Sequence, residues 1–253
     1  MMIRSAREIA VAARRGYARY MYPSHLRAVT WLRVGRKHAA PIDPLKNLWV
    51  DPATIETFLE LRRDEFIRMR FVFDVIGGDW DLRAKPIEEH FMYHSFVARF
   101  KHGAAWEETR LYAVALEGIR NGTWHYHGAR DASQVMQRLG DVDRLYERIG
   151  RVGYRRQAEL ADEAPGQPLS RRATRPPELD EVMVALDRDG AIAFVDGIHR
   201  LAVAKLVGVP CIPICVLIRH EAWQARRDRV AQDRTPRATE LSVHPDLAGL
   251  RRG

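Results

Sequence analysis

The sequence predicts an α/β fold carrying a basic helical arm at its N-terminus and a helical insertion within its core. Three observations predict it. Residues 181–218 read as strand, tight turn, strand, glycine, helix and strand. Residues 131–161 place apolar side chains at spacings of three and four, and residues 1–40 are strongly basic in a chain that is otherwise balanced. Strands repeat every two residues and helices every 3.6, so the first two patterns separate the element types.

In chain order, residues 2–20 read as a helix, and Tyr22-Pro23-Ser24-His25 breaks it before a second short helix from Leu26 to Arg36. Ala40 to Pro44 is a proline-punctuated linker. Asp51-Pro52-Ala53-Thr54 has an Asp at a cap position and Pro at the first helical position, which predicts a helix running to about Arg63. Phe66 to Ile76 reads as a strand closed by Gly77-Gly78, and a polar loop through Asp79, Trp80 and Asp81 follows. Pro86 leads into a helix from about Ile87 to Lys101, ended by Gly103. Trp106-Glu107-Glu108-Thr109 starts another, carrying Tyr112 and Leu116. The block 131–161 is a third helix with Val135, Leu139, Val142, Leu145 and Ile149 on its apolar face. From Pro165 to Pro177 the chain is rich in Pro, Gly, Arg and Ser, which predicts an exposed loop.

The last ordered unit is the most legible. Glu181 to Asp187 alternates, Arg188-Asp189-Gly190 is an Asp-Gly hairpin turn, and Ala191 to Val195 returns as the second strand. Asp196-Gly197 turns the chain directly into a helix, Ile198 to Val207, with Gly208 and Pro210 marking its end. Cys211 to Ile218 is a buried strand, and a final helix begins around Arg219 to Trp223. Residues 234–253 read as frayed.

Composition excludes several classes. The chain has 253 residues, 46% of them hydrophobic and 29% charged, enough for one sizeable core. No run approaches the roughly 18 to 20 apolar residues of a membrane-spanning helix, and the N-terminus lacks an apolar signal core. A cytoplasmic location is expected. Cys211 and Cys215, four apart on one strand, would sit about 13 Å apart, too far to bridge or to chelate one metal. The net charge of +8 resides in residues 1–40, where nine Lys or Arg face only Glu8, and the remaining chain carries 32 charges of each sign. The arm also carries Ile3, Ile9, Val11, Tyr17, Tyr20, Met21 and Tyr22. That mixture suits an anionic membrane surface, and hence peripheral association at the inner membrane face, as well as an amphipathic helix packed on the body. It makes no strong case for DNA.

The chemistry centres on one turn. A glycine between strand and helix lets the backbone approach a ligand, and the first amides of the helix face outward as unpaired donors. Asp196, Gly197, His199 and Arg200 therefore form a candidate phosphate-binding turn, with Asp196 placed to hold a metal ion. The alternative is an Asp196 cap and a surface Arg200. Two adjacent cationic-type residues in the first helical turn oppose the helix dipole unless an anion is present, which favours the phosphate reading.

Phe194-Val195-Asp196-Gly197-Ile198-His199-Arg200-Leu201-Ala202-Val203-Ala204-Lys205, followed by Leu206 to Pro210 and the strand Ile212 to Leu217, resembles the signature of the ParB/sulfiredoxin superfamily. The resemblance covers about 40 residues, and more loosely Gly77 to Thr109. It implies a ParB/sulfiredoxin-like core in two parts, with the following organisation: arm and linker 1–45, a helix and first core part 46–103, helical insertion and loop 104–177, second core part 178–223, and C-terminal helix with tail 224–253. It also implies a turn that grips nucleotide phosphates.

Departures from the family pattern narrow the activity. Sulfiredoxins carry a cysteine where this chain has Ile198, and partition proteins continue into a helix-turn-helix reader for which about 30 residues after His220 leave no room. The kinase members keep an acid acting on the acceptor hydroxyl, and Glu88, Glu89, Asp79 and Asp81 are the candidates for that catalytic role, with His199 or Arg200 stabilising the transferred group. The expected function is a nucleotide-dependent phosphotransferase using ATP, ADP or CTP with Mg²⁺ on a small hydroxyl-bearing metabolite or a sugar or lipid precursor. The rival readings are a nucleotide-binding switch and a nucleic-acid binder. His90 and His94 have metal-ligand spacing without the glutamate of a zinc protease, while His125 and His127 flank Tyr126 in a strand or loop. Trp80, Trp106, Trp124 and Trp223 read as packing residues.

Overall fold

The computed structural model describes residues 17, 21–61, 73–163, 176–232, 244–248 and 250. Within them the chain is a mixed α/β structure built on a seven-stranded sheet. The strands are β1 (Leu48–Val50), β2 (Thr57–Phe58), β3 (Asp74–Ile76), β4 (Lys85–Pro86), β5 (Val182–Leu186), β6 (Ile192–Asp196) and β7 (Ile212–His220). They lie in the order β1-β7-β5-β6-β2-β4, with β3 also pairing β7. β5 and β6 form the expected antiparallel hairpin, while β5 and β7 run parallel because α6 crosses between β6 and β7. The helices are α1 (Tyr22–Arg33), α2 (Phe91–His102), α3 (Arg110–Asn121), α4 (Ala132–Val152), α5 (Gln157–Glu163), α6 (Ile198–Val207) and α7 (Glu221–Gln232).

Alternation along the strands divides the interior between two faces. Val182, Val184, Leu186, Phe194, Ile212 and Ile214 face a large core shared with Phe96 of α2, Leu111 of α3, Leu139 of α4 and Leu201 of α6. The described part of the helical segment, 104–163, therefore packs in the same core as the sheet. Met183 and Cys215 face the opposite way, where Leu26 of α1, Leu45, Phe73 and Leu179 cover them. A third cluster, including Leu59, Trp80, Ala193 and Leu217, continues that second face.

Several expected boundaries change. Asp51 does cap a turn, accepting from the Ala53 amide at 2.8 Å, but only the short 3₁₀ turn Pro52–Thr54 forms. The chain then enters β2, because pairing with β6 and burial of Ile55, Phe58 and Leu59 outweigh local helix preference. Tyr22-Pro23-Ser24-His25 does not break a helix. It opens α1, where a proline in the first turn forfeits no hydrogen bond. The predicted helix 2–20, apart from Tyr17, and most of the predicted strand from Phe66 lie outside the described residues. Ile87–Glu89 is a 3₁₀ turn before α2, and the block 131–161 divides at Gly153, whose φ is 80°, into α4 and α5. The end of the chain is not frayed throughout. Asp246 and Leu247 are buried, and Asp246 accepts from Arg219 at 2.7 and 2.9 Å and from Trp223 at 3.0 Å.

Candidate functional site

The strand-to-helix turn is built as its sequence requires. Gly197 adopts φ 96°, a left-handed conformation open to glycine, and a Cβ there would lie 3.3 Å from the Val182 Cα. The turn thus packs directly on the start of β5. Its amide donates to Asp196 Oδ1 at 2.8 Å, which orients the Asp196 carboxylate at the end of β6. Arg200 folds back over the turn, since the same Cβ position would be 3.9 Å from its Nη2.

Arg200 already has an anion. Its Nη1 donates to Glu181 Oε2 at 3.0 Å, and Tyr154 Oη donates to the same oxygen at 3.0 Å. Glu181 Oε1 accepts from the Gln157 amide at 2.7 Å, so the side chain, only 2% exposed, is held from three directions. Burial raises the Glu181 carboxyl above its ordinary value despite the opposing pull of Arg200. The anion that a cationic helix start calls for is supplied internally, by a residue that sequence reading had treated only as the first of a strand.

His199, one residue earlier, turns toward Tyr126 and His127. Its Nε2 shares a 2.8 Å hydrogen bond with Tyr126 Oη, and its ring lies 4.8 Å from that of His127 and 5.4 Å from that of Phe96. Burial, followed by the nearby His127, Arg200 and His90 charges, pushes its pKa down to about 3. His199 is therefore neutral at physiological pH, and of the two cation candidates only Arg200 carries charge there. His127 is the only non-glycine residue with positive φ among those described, at 48°. Such backbone positions persist where surrounding structure imposes them, and they concentrate at functional sites.

These rings border a cavity of about 260 Å³ lined by Tyr126, His127, Arg138, Asp141, Val142, Leu145 and His199. The helix α4 contributes Arg138, Asp141, Val142 and Leu145, which share one face by their three- and four-residue spacing. Arg138 lies 3.7 Å from Asp141, which also pairs with Arg144. Asp141 is the one carboxylate among the lining residues.

The four acids expected to accept a proton are elsewhere. Asp79 and Asp81 bind Arg188 at the β5–β6 hairpin, Asp79 at 2.7 Å and Asp81 at 2.7 and 2.8 Å. That hairpin is the end of β6 opposite Gly197, about 13–17 Å away along a five-residue strand. Glu88 and Glu89 are exposed on the 3₁₀ turn after edge strand β4. Glu88 acts electrostatically on Lys205, near the far end of α6, and Glu89 on Lys85. None of the four therefore sits at the Asp196–Arg200 turn itself: Asp79 and Asp81 brace the opposite end of β6, Glu88 lies toward the far end of α6, and Glu89 lies toward the edge strand.

His90 and His94 do not converge. His94 is exposed, whereas His90 sits edge-on to Phe58 and Phe194, with Nδ1 buried and unpartnered. Among the described residues no three His, Cys, Asp or Glu side chains come together to hold a metal ion. Asp196 is a single carboxylate and could supply only one ligand to a Mg²⁺ ion, whose shell is commonly completed by phosphates and water.

Sequence reading found His199 and Arg200 and missed Tyr126, Glu181, Tyr154 and Asp141 as their neighbours. Two signals were available: Tyr126 between two histidines, and an acid at the mouth of an otherwise apolar strand. The chain matches no family model, and comparison with curated proteins and with solved structures finds no match.

Proposed function

We propose that the chain is a nucleotide-dependent phosphotransferase with a ParB/sulfiredoxin-like core, binding ATP, ADP or CTP phosphates at the start of α6. The observation that carries this reading is the β6–Gly197–α6 transition, where outward helix amides, Arg200 and Asp196 meet at one point. Arg200 stabilises the negative charge on the transferred group. Asp196 would hold Mg²⁺ delivered with the nucleotide, and the ion would neutralise phosphate charge. The cavity beside His199, about 260 Å³, is too small for a nucleotide and suits a small hydroxyl-bearing acceptor. Asp141 takes the role of base in place of the four acids named from sequence, with the Tyr126–His199 pair orienting the acceptor hydroxyl.

The test uses Arg200→Lys, which keeps a cation opposite Glu181 but loses the planar fork. Titration with ATP, ADP and CTP in Mg²⁺ should show binding weakened about tenfold or more, equivalent to losing one charge-assisted hydrogen bond. Unchanged affinity in a folded variant removes the site. Turnover is tested by screening hydroxyl metabolites as acceptors, with Asp141→Asn expected to lose about 10² or more in rate at unchanged nucleotide affinity.

One observation favours a second reading, a nucleotide switch without an acceptor. Phosphate must displace Glu181 from Arg200, and Glu181 also holds Tyr154 and the start of α5. Nucleotide binding would then be transmitted to α5. Tight binding without turnover on any acceptor, together with a change in hydrogen exchange at 154–160, supports the switch instead.

A further inference from the structure

The face of α1 that points away from the body carries large apolar side chains beside the exposed polar Ser24 and His25. Leu26 and Thr30 are buried against the sheet side, and Val34 continues the same stripe just past the helix end. On the opposite side Met21 is 64% exposed, Trp31 58% and Leu32 54%, with Ala28 between them. A surface helix ordinarily turns polar residues outward. The Trp31 ring lies over Gly35, where a Cβ would come within 3.3 Å of its Cδ1. Trp49, 51% exposed on β1, points to the same side of the sheet as α1, because its neighbours Leu48 and Val50 face the other core.

The segment that carries this face has charge of one sign, and the carboxylates that touch it, Asp43 and Asp228, pair with Arg27 and His38. Residues 21–42 contain Arg27, Arg33, Arg36 and Lys37 and no Asp or Glu. The next acid along the chain, Asp43, is paired with Arg27 at 3.0 Å. Arg33, Arg36 and Lys37 are exposed where the helix passes into the 3₁₀ turn Gly35–Lys37. A projecting Trp-Leu-Met face rimmed by cations matches an anionic bilayer, with apolar side chains entering the headgroup boundary and cations meeting lipid phosphates. A nucleic acid fits less well, since its phosphates would meet cations at the flank and an apolar ridge at the centre.

We propose that α1 and the turn after it form a peripheral membrane-docking surface for anionic phospholipid bilayers, with Trp31, Leu32 and Met21 inserting and Arg33, Arg36 and Lys37 contacting headgroups. This inference is independent of the phosphotransferase reading, and its assay contains no nucleotide.

The experiment is co-sedimentation of the full chain with phosphatidylcholine vesicles made with and without phosphatidylglycerol, across a salt series. Binding should require phosphatidylglycerol and weaken as salt rises. Trp31→Ala/Leu32→Ala should bind about tenfold or more weakly, and each of Arg33→Gln, Arg36→Gln and Lys37→Gln should lower binding roughly fivefold. All these side chains are exposed, so unchanged circular dichroism and melting are expected, which separates lost docking from lost fold. Absence of binding to anionic vesicles overturns the proposal, as does equal binding by the Trp31/Leu32 variant. So does a dimer in sedimentation velocity that this variant dissociates while vesicles bind neither form, or DNA binding that depends on the cations while vesicles do not bind.

Discussion

Arg200 Nη1 sits 3.0 Å from Glu181 Oε2, joining the first turn of α6 to the mouth of β5 across 19 residues of chain. Burial, more than the guanidinium opposite, governs the carboxyl, whose pKa is raised. A carboxyl with a raised folded value holds its proton longer in the folded state than in the unfolded one. Stability from this group therefore falls as pH rises from the ordinary glutamate value of 4.5 through the raised folded value. Glu181→Gln should remove that slope in a melting series over the same pH range. It also frees Arg200 of its internal counter-ion, so affinity for ATP or CTP should rise about three- to tenfold, the scale of one neutral-to-modest hydrogen-bonding change. Calorimetric titration showing lower affinity would mean that Arg200 does not exchange Glu181 for phosphate.

Tyr126 and His199 are the second long-range pair. Tyr126→Phe should leave His199 Nε2 buried without a partner at a cost of about 1–3 kcal/mol, read by urea unfolding. Because His199 is held down to about 3 against an ordinary 6.5, the unfolded chain takes up its proton first. The contribution of the neutral imidazole is thus complete above about pH 6.5 and is lost as pH falls toward 3. His199→Gln should flatten that acid limb of the stability profile while leaving the profile above pH 7 unchanged.

What could be read from the sequence was local. The β5–β6 hairpin, the Gly197 turn and the α6 end at Gly208 each depend on a glycine with positive φ at a fixed offset from an apolar run, so neighbours in sequence decide them. Residues 51–59 failed for the opposite reason. Asp51-Pro52 is an equally good start for one turn or four, and the partner that settles it, Phe194, lies far along the chain. The same limit hid the site. Asp141 shares a cavity with His199 because α4 packs on α6, Tyr126 reaches His199 from the turn before α4, and Glu181 reaches Arg200 because β5 lies beside β6. The acids Asp79 and Asp81 were visible as an acidic loop, but the cation that claims them, Arg188, is set by the sheet.

Asp246 ties the end of the chain to the body. Burial opposes its charge, yet Arg219 and Arg227 hold its pKa below the ordinary carboxylate value, and Trp223 and Arg219 donate to the Oδ2 that pairs with Arg227 at 3.0 Å. Asp246→Ala strands two buried guanidinium groups and should destabilise the fold by about 3–5 kcal/mol, far more than a frayed tail could. Chemical denaturation of this variant, and of a chain ending at residue 240, should give similar losses. A loss below about 1 kcal/mol, the scale of an exposed ion pair, would show that the 244–248 segment does not dock.

The last expectation separates structural acids from catalytic ones. Asp81 accepts two hydrogen bonds from the Arg188 side chain and one from its amide, and the side-chain bonds lower its pKa to about 2. Its folded value lies below the ordinary 3.8, so this contribution is present above about pH 4 and disappears as pH falls toward 2. Arg188 is partly exposed, and solvent screening limits the pair, so Asp81→Asn should cost about 1 kcal/mol. Asp79→Asn, whose side chain is largely exposed, should cost less. Neither replacement should change nucleotide affinity or turnover, because the hairpin they brace is at the far end of β6 from Gly197. Loss of turnover in folded Asp81→Asn at unchanged nucleotide affinity would return the base to the loop named from sequence and remove Asp141 from that role.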